Sequence, residues 1–394
     1  MAGSPPSAHV APFTCVSPSG PAGMKAPHTH DWSERGNQAP QNYKAAIETR
    51  LGTARDLDDF TRKAQFVNYE NFRAMFEARN ANLWDNASGL MLWMSHPAWH
   101  STVWQTYDYD FDVNGAYFGC RSACEPLHVQ ADPVKWQVIA VNHTRKALKG
   151  APVRAETYDL TGRRIASPRT ARVDVAPAAS APAFTAAAAE DLPDLHLLRL
   201  TLTDEAGKVL SRNTYWRCRT PEALRGLNQV QRAKLSASLT HVSRDGDRRT
   251  ATATVRNRGS VVAAMVRLSV LDEEGARVLP TLYDDNYLWL LPGESRTITL
   301  SWPASALPSN PAEAAGGGVQ HSSGHGARLS RRHAPARRSH GTLATPAEPA
   351  CDSCSVTAPR GSRGRPTQDA RVDRLDRPVG DCIARVRVID DELP

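Results

Sequence analysis

The sequence predicts an α+β multidomain protein, a helical segment followed by two β-sandwiches, with both ends disordered in composition. Three observations carry this. Residues 56–79 repeat their apolar positions with a helical period. From about Pro126 the pattern changes to short alternating strands separated by turn signals. After about Pro303 the chain becomes Gly, Ala, Ser, Pro, His and Arg, without lysine. The 394 residues suffice for two or three domains. A hydrophobic content of 41% supports globular cores, while 25 Gly and 28 Pro point to extended ends.

Residues 1–27 hold no Asp or Glu and almost no charge. They have neither the basic start nor the continuous apolar run of a secretory signal, so the segment reads as disordered. Residues 28–82 read as helical. In the run Asp56–Arg79, Leu57, Phe60, Ala64, Val67, Phe72, Met75 and Phe76 make an apolar stripe. Asp56 is placed to cap the helix, Asp58 and Asp59 suit its first turn, and Glu70 and Arg73 form an i,i+3 pair of minor strength.

Next comes Gly89-Leu90-Met91-Leu92-Trp93-Met94, an apolar run bounded by Ser88 and Pro97. Its composition fits a fully buried strand. Trp93, Trp99 and Trp104 follow one another closely, then Tyr107-Asp108-Tyr109-Asp110. A buried strand opening into aromatic and acidic residues suggests a binding pocket, and a tryptophan-rich core is the alternative reading.

From 126 to 222 the strands are Lys135–Asn142; Val153, Ala155 and Thr157 alternating with Arg154, Glu156 and Tyr158; Leu198, Leu200 and Leu202 alternating with Arg199, Thr201 and Thr203 as a half-buried strand; and Val209–Trp216. The Ala-rich stretch 176–190 reads as an edge crossing or a loop. Pro221–Leu227 reads as a linker. From 228 to 305, Ala251–Arg256, Met265–Leu271, Tyr283–Leu291 and Arg296–Trp302 alternate with turns at Asn257-Arg258-Gly259 and Pro292-Gly293-Glu294.

Several motifs together resemble glycoside hydrolase family 2, in its exo-β-D-glucosaminidase and β-mannosidase branch. They are Leu92-Trp93-Met94, Pro97-Ala98-Trp99, Tyr107-Asp108-Tyr109, Tyr117-Phe118-Gly119 and Ala123-Cys124-Glu125-Pro126-Leu127-His128-Val129-Gln130, with Asp285-Asn286-Tyr287 and Leu291-Pro292-Gly293-Glu294 further on. The resemblance implies that residues 28–125 are the C-terminal part of a (β/α)8 barrel. It makes 126–222 and 228–305 immunoglobulin-like sandwiches, with 306–394 a disordered Arg/Pro/Gly-rich tail in which one expected strand is not found. It implies an oligosaccharide substrate with terminal β-linked glucosamine or mannose, cleaved with retention by two carboxyl groups. Those groups lie upstream of the matched residues in the family, so the expectation is no catalytic residue here, the sugar-binding domain also being absent. Trp93 is the expected platform for a sugar ring, with His96 and Trp99 as weaker substrate contacts; Asp108 and Asp110 are expected to be structural.

Seven scattered cysteines are not a disulfide framework. The lone pair Cys351 and Cys354 lacks a second ligand pair, so no metal or cofactor is expected. A net charge of +7 and the cluster Arg331–Arg338 raise nucleic-acid binding, but solvated disorder accounts for them, and no nucleic-acid partner is expected. No apolar run approaches the ~20 residues of a membrane span. Localisation stays open; relatives in the family are often secreted or periplasmic. A non-catalytic carbohydrate-binding or scaffold protein is the alternative function.

Overall fold

A computed structural model describes residues 39–85, 88–97, 105–186, 192–272, 276–306 and 385–389. The remaining residues, including 1–27 and most of 306–394, lie outside them. Among the described residues the chain is mostly β-sheet with three helices.

Helix α1 (Ala39–Leu51) buries Tyr43, Ile47 and Leu51, one per turn along a single stripe. Helix α2 (Leu57–Ala81) starts as predicted: the Asp56 carboxylate accepts from the Asp59 amide at 2.7 Å, with Asp58 and Asp59 in the first turn. Its predicted stripe is only partly inward. Ala64, Val67 and Phe72 are buried, but Leu57 is exposed and Met75 and Phe76 are half-buried. In their place α2 buries Asp59, Lys63, Arg73 and Glu77, because sandwich and helix neighbours surround it.

Helix α3 (Gly115–Ala123) lies on α2 at glycine-to-backbone distance. A Cβ on Gly115 would meet the Gln65 carbonyl oxygen at 2.3 Å, and one on Gly119 would meet that of Tyr69 at 2.4 Å. Only glycine permits this approach, which explains the Gly119 of the Tyr117-Phe118-Gly119 motif. Gly119→Ala is expected to force the helices apart and cost about 1–3 kcal/mol, read by urea denaturation.

The first sandwich pairs two sheets. One is β1 (Leu127–Ala131), β2 (Gln137–Asn142) and β5 (Ala179–Thr185); the other is β4 (Arg169–Val175), β3 (Leu148–Tyr158), β6 (Leu195–Thr203) and β7 (Val209–Cys218), in those spatial orders. The predicted alternation along β3 is present: Val153, Ala155 and Thr157 are buried. Part of the Ala-rich stretch, Ala179–Thr185, is an edge strand rather than a loop. It supplies β5, which pairs with β2 from Ala179 opposite Asn142 to Thr185 opposite Gln137.

Strand β6 is buried on both faces rather than half-buried. Leu198, Leu200 and Leu202 fill the first sandwich, while Leu195 and Leu197 face a second core shared with the helices and the second sandwich. Pro221–Leu227 is likewise more than a linker. Residues Pro221–Gln229 form a 3-10 helix that buries Leu224 and Leu227, and the Asn228 amide donates to the Leu51 carbonyl at 2.7 Å, capping α1.

The second sandwich has a sheet of β11 (Leu282–Tyr283), β13 (Ser295–Pro303), β9 (Arg248–Asn257) and β8 (Leu235–Asp245). Facing it is a sheet of β12 (Leu288–Leu290), β10 (Ala263–Leu271) and β14 (Arg385–Ile389). Of the residues after Ala306 the structure describes Arg385–Ile389, strand β14, which runs antiparallel to Arg267–Leu271 and is the strand the sequence did not reveal. It covers an edge of β10, whose nine residues are all buried, and so removes an open template for pairing.

Candidate functional site

The Gly89–Met94 segment is not a buried strand. It has no β-pairing among the described residues, Met91 is 94% exposed and Trp93 85%. A strand needs a neighbour to satisfy its backbone, and none of the described strands lies alongside. Two contacts anchor the segment: Arg79 donates to the Ser88 carbonyl at 3.3 Å and the Tyr107 amide to that of Ser95 at 3.0 Å. His96 places Nε2 3.2 Å from the Tyr109 carbonyl oxygen and stacks on Phe111 with ring centres 4.3 Å apart. Trp93 and His96 thus lie on one short exposed segment. Trp99 lies outside the described residues.

The two acids that could be mistaken for a catalytic pair do different work. Asp108 is buried, and its Oδ1 accepts from the amides of Asp110 at 3.0 Å and Asp112 at 2.8 Å, which tightens a turn. Asp110 is exposed. Asp112 is the structural acid: it pairs with Arg267 at 2.6 Å and with Arg277, tying the segment before α3 to the second sandwich.

Sequence reasoning missed a buried polar centre where α2 meets the first sandwich. Glu77 Oε1 accepts from Asn213 Nδ2 at 2.6 Å and the Tyr215 hydroxyl at 2.9 Å, and lies 3.2 Å from His128 Nε2. His128 Nδ1 is 3.0 Å from Glu125, and the Ser211 hydroxyl donates to the same Glu125 oxygen at 2.5 Å. Arg73 donates to Asn213 at 2.9 Å and to the Thr214 carbonyl at 2.5 Å, pairs with Glu70 at 2.6 Å, and stacks over the Tyr215 ring at 4.2 Å. The Glu70–Arg73 pair, expected to be of minor strength, is therefore part of a buried assembly. Gln130 completes it, donating to the Glu77 carbonyl at 2.6 Å.

This centre accounts for the Glu125-Pro126-Leu127-His128-Val129-Gln130 motif. His128 and Gln130 are two residues apart on β1, so both face α2 while Val129 and Ala131 face the sandwich core. Burial by itself would lower the His128 pKa; its bonds to Glu125 and Glu77 outweigh this and raise it. The imidazolium form is thus held between two carboxylates. The Ser211–His128–Glu77 order looks like a nucleophile, base and acid, but Ser211 is 2% exposed and gives its proton to Glu125. It is a brace.

Among the described residues no cluster of His, Cys, Asp or Glu is disposed to hold a metal, and no helix is long and apolar enough to cross a membrane. Burial pushes the Cys120 thiol up to about 12 and raises that of Cys124, so neither is activated.

The comparisons with known proteins fall on these elements. The sequence model of the exo-beta-D-glucosaminidase Ig-fold domain matches residues 213–318, and that of the mannosidase Ig/CBM-like domain matches 134–220. Both immunoglobulin-like units thus match domain models of these glycosidases, and the chain is similar to the exo-β-D-glucosaminidase branch of glycoside hydrolase family 2. An exo-beta-D-glucosaminidase of Amycolatopsis orientalis is 34% identical over 286 residues, 66% of this chain and 28% of that protein. One of Streptomyces avermitilis is 34% identical over 290 residues, 67% of this chain and 32% of that protein. The solved exo-chitosanase of A. orientalis superposes with a TM-score of 0.66 at 32% identity, covering 72% of this chain and 36% of that one. The chain thus spans about a third of the length of the relatives it matches. The glycosidase resemblance seen in the motifs and the sandwich architecture are borne out.

Proposed function

We propose that this chain is the C-terminal, non-catalytic portion of a retaining glycosidase that acts on terminal β-linked glucosamine or mannose in oligosaccharides. Identity of 34% to exo-beta-D-glucosaminidases over 286 and 290 residues, about two thirds of this chain, is the observation that supports it. Residues 126–222 and 228–305 are the two sandwich units of that portion, and 28–125 is the end of its barrel.

In this reading Trp93 is the aromatic platform for the apolar face of a sugar ring, with His96 and Trp99 as weaker contacts. The exposed side chain of Met91 is then part of the surface against which the rest of a barrel seats, because an apolar group this exposed gains from being covered. The test is an NMR titration of the tryptophan indole signals with β-linked glucosamine and mannose oligomers. The expected result is a shift of the Trp93 signal with a Kd of about 1 mM, roughly −4 kcal/mol, since one platform supplies little affinity. No shift of the Trp93 signal with either sugar would remove it from the site.

A further inference from the structure

A second place in the molecule is better enclosed than the Trp93 segment. A cleft of about 1070 Å³ lies where α2 and α3 meet β7 and the β12–β13 side of the second sandwich. This is slightly beyond the roughly 300–1,000 Å³ of ordinary small-molecule sites.

Its lining combines two kinds of group. Tyr107 and Tyr117 present half-buried rings with centres 5.5 Å apart, inclined at 60°. Around them stand Arg121, Glu125, Asp285 and Arg296. Asp285 and Arg296 are paired at 2.8 Å, yet their side chains remain 40% and 32% exposed, so the pair keeps an open edge. Glu125 commits Oε2 to Ser211 and His128 and remains 35% exposed. Arg121 spends its Nε on the Asp284 carbonyl at 2.7 Å.

A sugar unit offers an apolar ring face and a rim of hydroxyls that both donate and accept. Tyrosine rings match the face. Carboxylate and guanidinium groups side by side match the rim, each satisfying hydroxyls in the opposite sense. A site of uniform charge would favour an ion, and an apolar one a lipid or a helix; this cleft is neither. We propose that it holds two to three units of a β-linked oligosaccharide, stacked on Tyr107 and Tyr117 and hydrogen-bonded by Glu125 and the Asp285–Arg296 pair. The proposal rests on the glycosidase reading for the class of sugar, but it places binding in the junction between sandwiches and helices, which Leu92 borders, and on side chains other than Trp93.

The experiment is calorimetric titration of the full chain with β-1,4-linked trisaccharides of glucosamine, N-acetylglucosamine, mannose and glucose. The variants are Tyr117→Leu, Arg296→Gln and Trp93→Ala, with thermal melting as the check on folding. The expected result is binding of at least one trisaccharide, weakened tenfold or more by both Tyr117→Leu and Arg296→Gln at unchanged melting temperature. If Tyr117→Leu lowers the melting temperature, Arg296→Gln alone decides, because its side chain is one-third exposed. Two results would overturn the cleft: no trisaccharide binds, or the bound one is held within twofold by the cleft variants. In the second case, loss on Trp93→Ala would return binding to the exposed segment and leave the glycosidase reading standing.

Discussion

Glu77→Ala is expected to destabilise the chain by about 3–5 kcal/mol, the cost of removing one partner from a buried ionic assembly. The substitution takes an acceptor from Asn213, Tyr215 and His128 at once; Asn213 keeps the Val129 carbonyl at 3.1 Å, but the buried Tyr215 hydroxyl and His128 Nε2 lose theirs. It also removes a carboxylate 3.9 Å from the buried Arg73. Glu77→Gln should cost less, because its amide oxygen can still accept, although the charge facing His128 is lost. Urea denaturation followed by tryptophan fluorescence measures both. A Glu77→Ala loss below about 1 kcal/mol would mean that this centre is solvated and does not join α2 to the sandwich.

The same centre gives a pH dependence with a definite sign. The folded pKa of His128 is raised above its ordinary value of 6.5. Its contribution is therefore complete below about pH 6.5 and is lost as pH rises through the raised folded value. His143 and His196 are lowered by burial and act oppositely, but only below their ordinary pKa of 6.5. Asp285, half-buried in its cleft and pushed up to about 6 by the desolvation there, also titrates mainly below that point. Between pH 6.5 and 8 the decline should then belong to His128, and His128→Gln should flatten it.

The sequence made local features legible where a rule acts over a few residues. Asp56 could be placed as a cap because its acceptor bond to Asp59 spans three positions. The β3 alternation was visible because a two-residue period sorts Val153, Ala155 and Thr157 to one face. What stayed hidden depends on long separations. Asn213 meets Glu77 across 136 positions, and Arg73 meets Thr214 across 141. A charged residue on a helix carries no local sign of a distant buried partner, so the roles of Arg73 and Glu77 were not legible. Strand β14 was hidden because Arg385-Val386-Arg387-Val388-Ile389 is a short run far from the rest of its sheet. At the candidate site the difficulty was of another kind. An apolar hexamer has the same composition whether it is buried or exposed, so Gly89–Met94 could not reveal that Trp93 lies outside. Buried His128 and Gln130 on one strand face were a usable signal: two polar side chains inward on an otherwise apolar strand call for a polar partner.

The largest expected effect concerns catalysis. Retaining cleavage needs a nucleophilic carboxylate and a carboxylic acid about 5–5.5 Å apart, one on each side of the scissile bond. Of the two acids that could be mistaken for such a pair, Asp108 is buried and engaged by two backbone amides, so it is not presented to a substrate beside the exposed Asp110. Losing one member of such a pair commonly costs several orders of magnitude in turnover. The chain is therefore expected to be a support whose chemistry is supplied elsewhere. The direct measurement is nitrophenol release from aryl β-glucosaminide and aryl β-mannoside by the purified chain, with Trp93→Ala alongside. The account predicts rates equal to the protein-free control for both proteins and both sugars. Turnover above that control, abolished by Trp93→Ala, would contradict it and would make Asp108 and Asp110 the first residues to replace.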